Sequence, residues 1–87
     1  MANYNIEIKK SAAKEISKLP KQELKRVVEK IKLLAENPRP DGCKKLSGDE
    51  KYRLRVGNYR VLYRIEDDRL IIYVVKVGHR KEIYKML

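Results

Sequence analysis

Four arginines stand in the stretch KYRLRVGNYRVLYRI, Lys51 to Ile65, at positions 53, 55, 60 and 64, with no carboxylate among them. A guanidinium fork binds phosphate oxygens in pairs and stays charged whatever surrounds it. If the segment is extended, alternation sends Arg53 and Arg55 to one side and Tyr52, Leu54 and Val56 to the other. The following segment separates Arg60, Leu62 and Arg64 from Tyr59, Val61, Tyr63 and Ile65 in the same way. A tight turn at Gly57-Asn58 then brings Arg53, Arg55 and Arg60 onto one surface, and Arg80 approaches it from the rim. The plain alternative is a solvated sheet face dressed with cations against edge pairing. A mixture of Lys and Glu would serve that purpose with less self-repulsion, so a phosphate-binding surface is the functional reading.

The other chemistry-bearing residues are sparse. His79 is the sole histidine, set between Gly78 and Arg80 where a strand ends, and its titration near neutrality suits a general acid or base. Tyr52, Tyr59, Tyr63 and Tyr73 follow the strand pattern and read as core, with base stacking as the functional alternative. Tyr84 lies outside the periodic segments, either pinning the C-terminus or acting in a site. Glu66, Asp67 and Asp68 fall at a turn, where Asp is common. One His and one Cys far apart offer no metal-ligand spacing, and no phosphate-cradling glycine loop or nucleophile elbow occurs. Neither a metal nor a cofactor is expected.

The elements that must position these residues follow from periodicity. Tyr4, Ile6 and Ile8 alternate with Asn5 and Glu7 as a half-buried first strand. Ser11 offers an N-cap for a short helix with Ala12, Ala13, Ile16 and Leu19 as its apolar stripe, and Pro20 ends it. Leu24, Val27, Val28, Ile31, Leu34 and Ala35 recur at helical spacing, up to Asn37-Pro38. A loop, NPRPDGCKKLSGDE, leads to three strands, about Tyr52 to Val56, Tyr59 to Glu66 and Leu70 to Gly78, with turns at Gly57-Asn58 and Asp67-Asp68-Arg69. The near-continuous LIIYVVKV suits a central strand. The expectation is an α+β fold, β-α-α-β-β-β, with a helical hairpin on one face of a small, mostly antiparallel sheet and a short C-terminal tail.

Composition narrows the partners. Eighty-seven residues suit one domain, 1–87, and 43% hydrophobic content suits a small aliphatic core despite 39% charged residues. Net charge is +10, with ten cations against six carboxylates up to Cys43 and twelve against six after it. The excess is spread along the chain and favours a polyanionic partner. No apolar run suggests a membrane span or a signal peptide, and the single cysteine excludes an internal disulfide, so a reducing cytoplasm is the expected location.

The combination of YRLR, GNYRVLYR and VGHRKEIY, set behind a strand and a helical hairpin, resembles the RelE/ParE superfamily of toxins from type II toxin–antitoxin systems, and in its basic set the RelE-like mRNA interferase branch. The resemblance covers essentially the whole chain. It implies a ribosome-dependent endoribonuclease that cleaves mRNA in the A site and inhibits translation, with Arg53, Arg55, Arg60, Arg80 and Tyr84 at the positions of the family's catalytic set. Some relatives carry lysine where Arg53 and Arg55 stand. A crowded lysine can lose its proton, whereas arginine, with a pKa of about 12.5 or above, cannot serve as a base. His79 is therefore the tentative base, beside Tyr84.

The resemblance also implies partners: a cognate antitoxin protein, the ribosome with its mRNA, and operator DNA reached through the antitoxin. No membrane partner is implied. Two rival readings stay open at this point, a ParE-like gyrase poison and a catalytically degenerate nucleic-acid-binding member of the same fold.

Overall fold

A computed structural model describes residues 3–46 and 51–79. The elements run β1 (Asn5–Ile8), α1 (Lys10–Ser17), α2 (Lys21–Leu33), β2 (Lys44–Lys45), β3 (Lys51–Val56), β4 (Tyr59–Glu66) and β5 (Ile71–His79). The strands form one sheet in the order β1-β5-β4-β3-β2. β1 runs parallel to β5 and the other neighbours are antiparallel, so the sheet is mixed. The expected α+β architecture is present, and the segment after α2, whose sequence predicts a loop, adds the two-residue edge strand β2.

Helical spacing explains the core. Ala12 and Ile16 of α1 and Val27 and Ile31 of α2 are buried, and Leu34 just past α2 joins them. They pack on Tyr52, Leu54, Val56, Val61, Tyr63, Ile65, Ile72, Val74 and Val77, the inward set of three strands. Ser11 does not cap α1: the helix starts two residues earlier than that cap would set it, the N-cap is Lys9, and no cap side chain bonds the free amides. The chain enters α1 directly from β1, and Lys9 N–H donates to the Val74 carbonyl at 2.8 Å, so strand pairing sets the helix start. Past α2 the amides of Leu34, Ala35 and Glu36 each reach back three residues to carbonyls at 3.0–3.1 Å, a tightened turn that closes the helix.

Two hairpin turns fix register. Gly57 has φ +60° and Asn58 is not among the positive-φ residues, the pattern of a type II′ turn that matches strand twist. The β4–β5 turn is one residue longer than expected, because Leu70 adopts φ 53° before pairing resumes at Glu66 and Ile71. Between Leu62 and Tyr63 the β4–β5 register shifts, with Leu62 opposite Lys76 and Tyr63 opposite Val74. That irregularity leaves Val75 as the extra residue and lets both halves of β5 keep their apolar side on the core.

The two ends of the sheet are secured differently. β1 pairs with β5 only as far as Val74, and α1 covers the rest of that edge. There Glu15 accepts a hydrogen bond from the Val77 amide at 3.2 Å and from Lys76 Nζ at 2.7 Å. At the other end Asp67 accepts from the Tyr4 hydroxyl at 2.6 Å and from Arg39 at 3.0 Å. Arg39 Nε also donates to the Tyr52 hydroxyl at 3.2 Å, and the Tyr63 hydroxyl donates to the Pro38 carbonyl at 2.8 Å. Hydrogen bonds from Arg39 and Tyr4 hold the Asp67 carboxyl below its usual pKa. The same bond raises Tyr4, and burial, then the nearby Cys43, raises Tyr63.

Candidate active site

The face of the sheet away from the helices can be read row by row from strand register. Arg55 lies directly opposite Arg60, which lies opposite Gly78. The next row is Arg53, Leu62 and Lys76, and the one after it is Lys51, Arg64, Tyr73 and Glu7. Arg53, Arg55 and Arg60 therefore share one surface, as the alternation required. Arg55 is exposed and Arg53 half-buried, whereas Arg60 retains only 7% of its surface and is the one buried charged residue among those described.

Two like charges directly across a strand pair destabilise the pair, and burial of one of them adds a desolvation cost. Arg55 Nε makes a long contact of 3.4 Å to the Gly57 carbonyl, at the turn that aligns the two strands. The cluster is thus held by the backbone of a tight hairpin. Guanidinium groups on one surface are chemically suited to phosphate oxygens.

His79 is placed elsewhere. It pairs with Tyr59, and the two rings meet edge to face with centroids 5.7 Å apart. Tyr59 belongs to the set that alternates toward the helices, so His79 points to the face opposite Arg53, Arg55 and Arg60. Around it lie Pro20, Lys21, Gln22 and Glu23 of the helical hairpin and Asn58 of the turn. His79, the tentative base of the sequence pattern, is placed by register on the side of the sheet opposite the arginines, since an odd number of residues along the strand reverses the side. Arg80 and Tyr84 lie outside the described residues.

Of the strand tyrosines, Tyr52 and Tyr63 are core residues, stacked at 5.9 Å. Tyr73 alternates the other way, between the fully buried Ile72 and Val74, onto the arginine face. Sequence pattern alone treated the four strand tyrosines alike; the signal that separates Tyr73 is its place in a strand whose flanking residues are both β-branched and apolar. Among the described residues no group of His, Cys, Asp and Glu is arranged to hold a metal ion. No helix among them is long and apolar enough to cross a membrane.

Comparison with known proteins bears on what this surface is. A family model for the ParE toxin of type II toxin-antitoxin system, parDE, matches residues 6–84. A Methanocaldococcus jannaschii protein carrying the toxin name RelE1 is 40% identical over 86 residues, which is 94% of this chain and 96% of that protein. The mRNA interferase toxin RelE of Escherichia coli K12 is 30% identical, over 93% of this chain and 90% of its own. The archaeal RelE–RelB complex from Pyrococcus horikoshii OT3 contains a chain that superposes with TM-score 0.82 at 31% identity, covering 90% of this chain and 96% of that one. The chain belongs to the RelE/ParE superfamily, and the names of its relatives make it a type II toxin–antitoxin toxin of the RelE family.

Proposed function

We propose that this toxin is a ribosome-dependent endoribonuclease that cuts mRNA in the A site and so arrests translation. The observation that carries the reading is the Arg55–Arg60 cross-strand pair, with Arg53 one row along and Arg60 buried beneath. The mRNA interferase name of the Escherichia coli relative points the same way.

In the proposed step the 2′-oxygen attacks the adjacent phosphorus, its proton leaves to a base, the bond to the 5′-oxygen breaks, and that oxygen takes up a proton from water. The products are a 2′,3′-cyclic phosphate and a 5′-hydroxyl. Arg53, Arg55 and Arg60 neutralise the charge that builds on the phosphoryl oxygens, held in place before reaction by the hairpin. Arg80 stabilises the leaving oxygen, and Tyr84 stacks on or orients the splayed nucleotide. His79 faces away, so the proton acceptor is Tyr84 or a group of the ribosome. Arginines that clamp the phosphate but take no proton leave the alignment of the 2′-oxygen to the ribosome, which holds the codon in line.

The chain is held inactive by a cognate antitoxin, as the RelE–RelB complexes among its structural neighbours suggest. We place its action in the cytoplasm, and the toxin–antitoxin pair on its own operator through the antitoxin. The ParE name of the family model keeps a gyrase-directed activity as the second reading.

The test is primer extension on mRNA in a reconstituted translation reaction, with and without ribosomes, comparing wild type with Arg60→Lys and Arg80→Ala. Codon-positioned cuts that need ribosomes, slowed about a hundredfold or more by either substitution, are the expected result. Near-normal cutting by both variants sinks the site assignment. Intact mRNA together with inhibited gyrase transfers the protein to the second reading.

A further inference from the structure

We propose that Glu15 is a positioning residue of the arginine site: from α1 it anchors the end of β5, the segment that flanks Arg60 and leads to Arg80. This rests on the ribonuclease reading above. The strand changes its supports at its middle. β1 pairs with β5 from Ile71 to Val74 and no further. At the same place the β4–β5 register shifts, with Val75 left between the partners of Tyr63 and Leu62. A bulge interrupts the ladder and bends the strand that carries it. Beyond it, Lys76 to His79 have β4 as their one neighbour among the described strands, with Arg60 opposite Gly78 and Tyr59 opposite His79.

Glu15 supplies the second edge. Its Oε1 accepts from the Val77 amide at 3.2 Å, and its Oε2 accepts from Lys76 Nζ at 2.7 Å. The Lys9 amide reaches the Val74 carbonyl at 2.8 Å, so the start of α1 and its middle hold β5 on the two sides of Val75. The carboxylate takes the place of the carbonyl that a longer β1 would offer. Helical spacing puts it there: Ala12 and Ile16 are buried on the sheet, and Glu15 follows Ala12 by three residues along the rim of that stripe. The Lys76 and Glu15 side chains keep 24% and 30% of their surface exposed. A partly buried carboxylate that accepts a backbone amide is a firmer anchor than an ion pair in open water.

The anchored segment borders the arginines. Gly78 lies beside Arg60 and has no side chain, so the β5 flank of Arg60 is backbone. Lys76 stands in the row of Arg53 and Leu62. The chain reaches Arg80 three residues after Val77. A strand end held along one edge opens more readily than one held along both. A shift of about 1 Å in a charge-stabilising group is enough to cost a large factor in rate. Glu15 stands at the sheet edge and acts through the β5 backbone, so its loss belongs in kcat and not in ribosome binding.

Ribosome-dependent cleavage by the full-length toxin, measured as kcat and KM for programmed ribosomes, separates this role from a merely structural one. Glu15→Ala should lower kcat about tenfold or more and leave KM within about twofold. Glu15→Gln keeps an oxygen for the Val77 amide and should recover kcat to within about threefold of wild type. Ile31→Val, a core truncation in α2, controls for lost stability and should leave kcat unchanged. Amide hydrogen exchange at Val77, Gly78 and His79 should quicken in Glu15→Ala and not in Glu15→Gln. A wild-type kcat in Glu15→Ala, or an equal loss in Ile31→Val, overturns the anchor and leaves the ribonuclease reading intact. Glu15→Gln as slow as Glu15→Ala overturns the part given to the Val77 amide. Ribosome-bound mRNA left uncut by wild type overturns both readings together.

Discussion

Arg55 and Arg60 face one another across β3 and β4. Like charges directly opposite cost a few tenths of a kcal/mol to about 1 kcal/mol, and a strand prefers a β-branched residue at such a position. Arg55→Thr is therefore expected to raise stability by about 0.5 kcal/mol, read as a higher denaturant midpoint at unchanged slope, while lowering mRNA cleavage. A residue whose removal improves the fold and impairs the activity is held by function. Loss of stability in this variant would show instead that the guanidinium contact to the Gly57 carbonyl outweighs the repulsion.

At the scale of elements, Asp67 gathers pieces distant in sequence: Tyr4 at the entry to β1, Arg39 in the loop after α2, and through Arg39 the hydroxyl of Tyr52 on β3. Both bonds favour the ionised carboxylate, so its folded pKa lies below the unfolded value of about 3.9. The folded state then binds fewer protons than the unfolded one in the window below pH 4. The contribution is present above that window and is lost as pH falls through the depressed folded pKa. In denaturation series, the stability difference between wild type and Asp67→Asn should be constant near neutrality and shrink below about pH 4. A difference that does not change with pH would mean that the ionised form has no part in the clamp.

For the whole molecule the relevant quantity is the charge of +10 and where it sits. The helical hairpin carries lysines on its outer side, while the opposite sheet face concentrates arginine. Binding to a polyanion releases counterions in proportion to the phosphates neutralised, with a slope of about −0.7 per contact on single-stranded nucleic acid. Replacing Arg53, Arg55 and Arg60 together should reduce the steepness of ribosome or RNA binding against salt by about 2. An unaltered slope would place the phosphates elsewhere, on the lysine-bearing helices.

Periodicity and charge alone determined the α+β class, the helical hairpin, the three long strands and the common side of Arg53, Arg55 and Arg60, because side-chain direction in a strand alternates locally and a two-residue turn carries it across. The motif set also pointed to the toxin superfamily. What the sequence left open is non-local. Ser11 has good capping chemistry, yet the start of α1 is set by Lys9 bonding β5. Nothing in KKL marks Lys44 and Lys45 as a strand until β3 lies beside them. The side of His79 depends on register across β4 and β5, and one residue of phase sets it beside Tyr59 and not beside the arginines. The same register turned Tyr73 outward from its companions. Local sequence chose the residue types and their alternation; only the pairing of strands, which sums contacts from the whole chain, decided which of them meet.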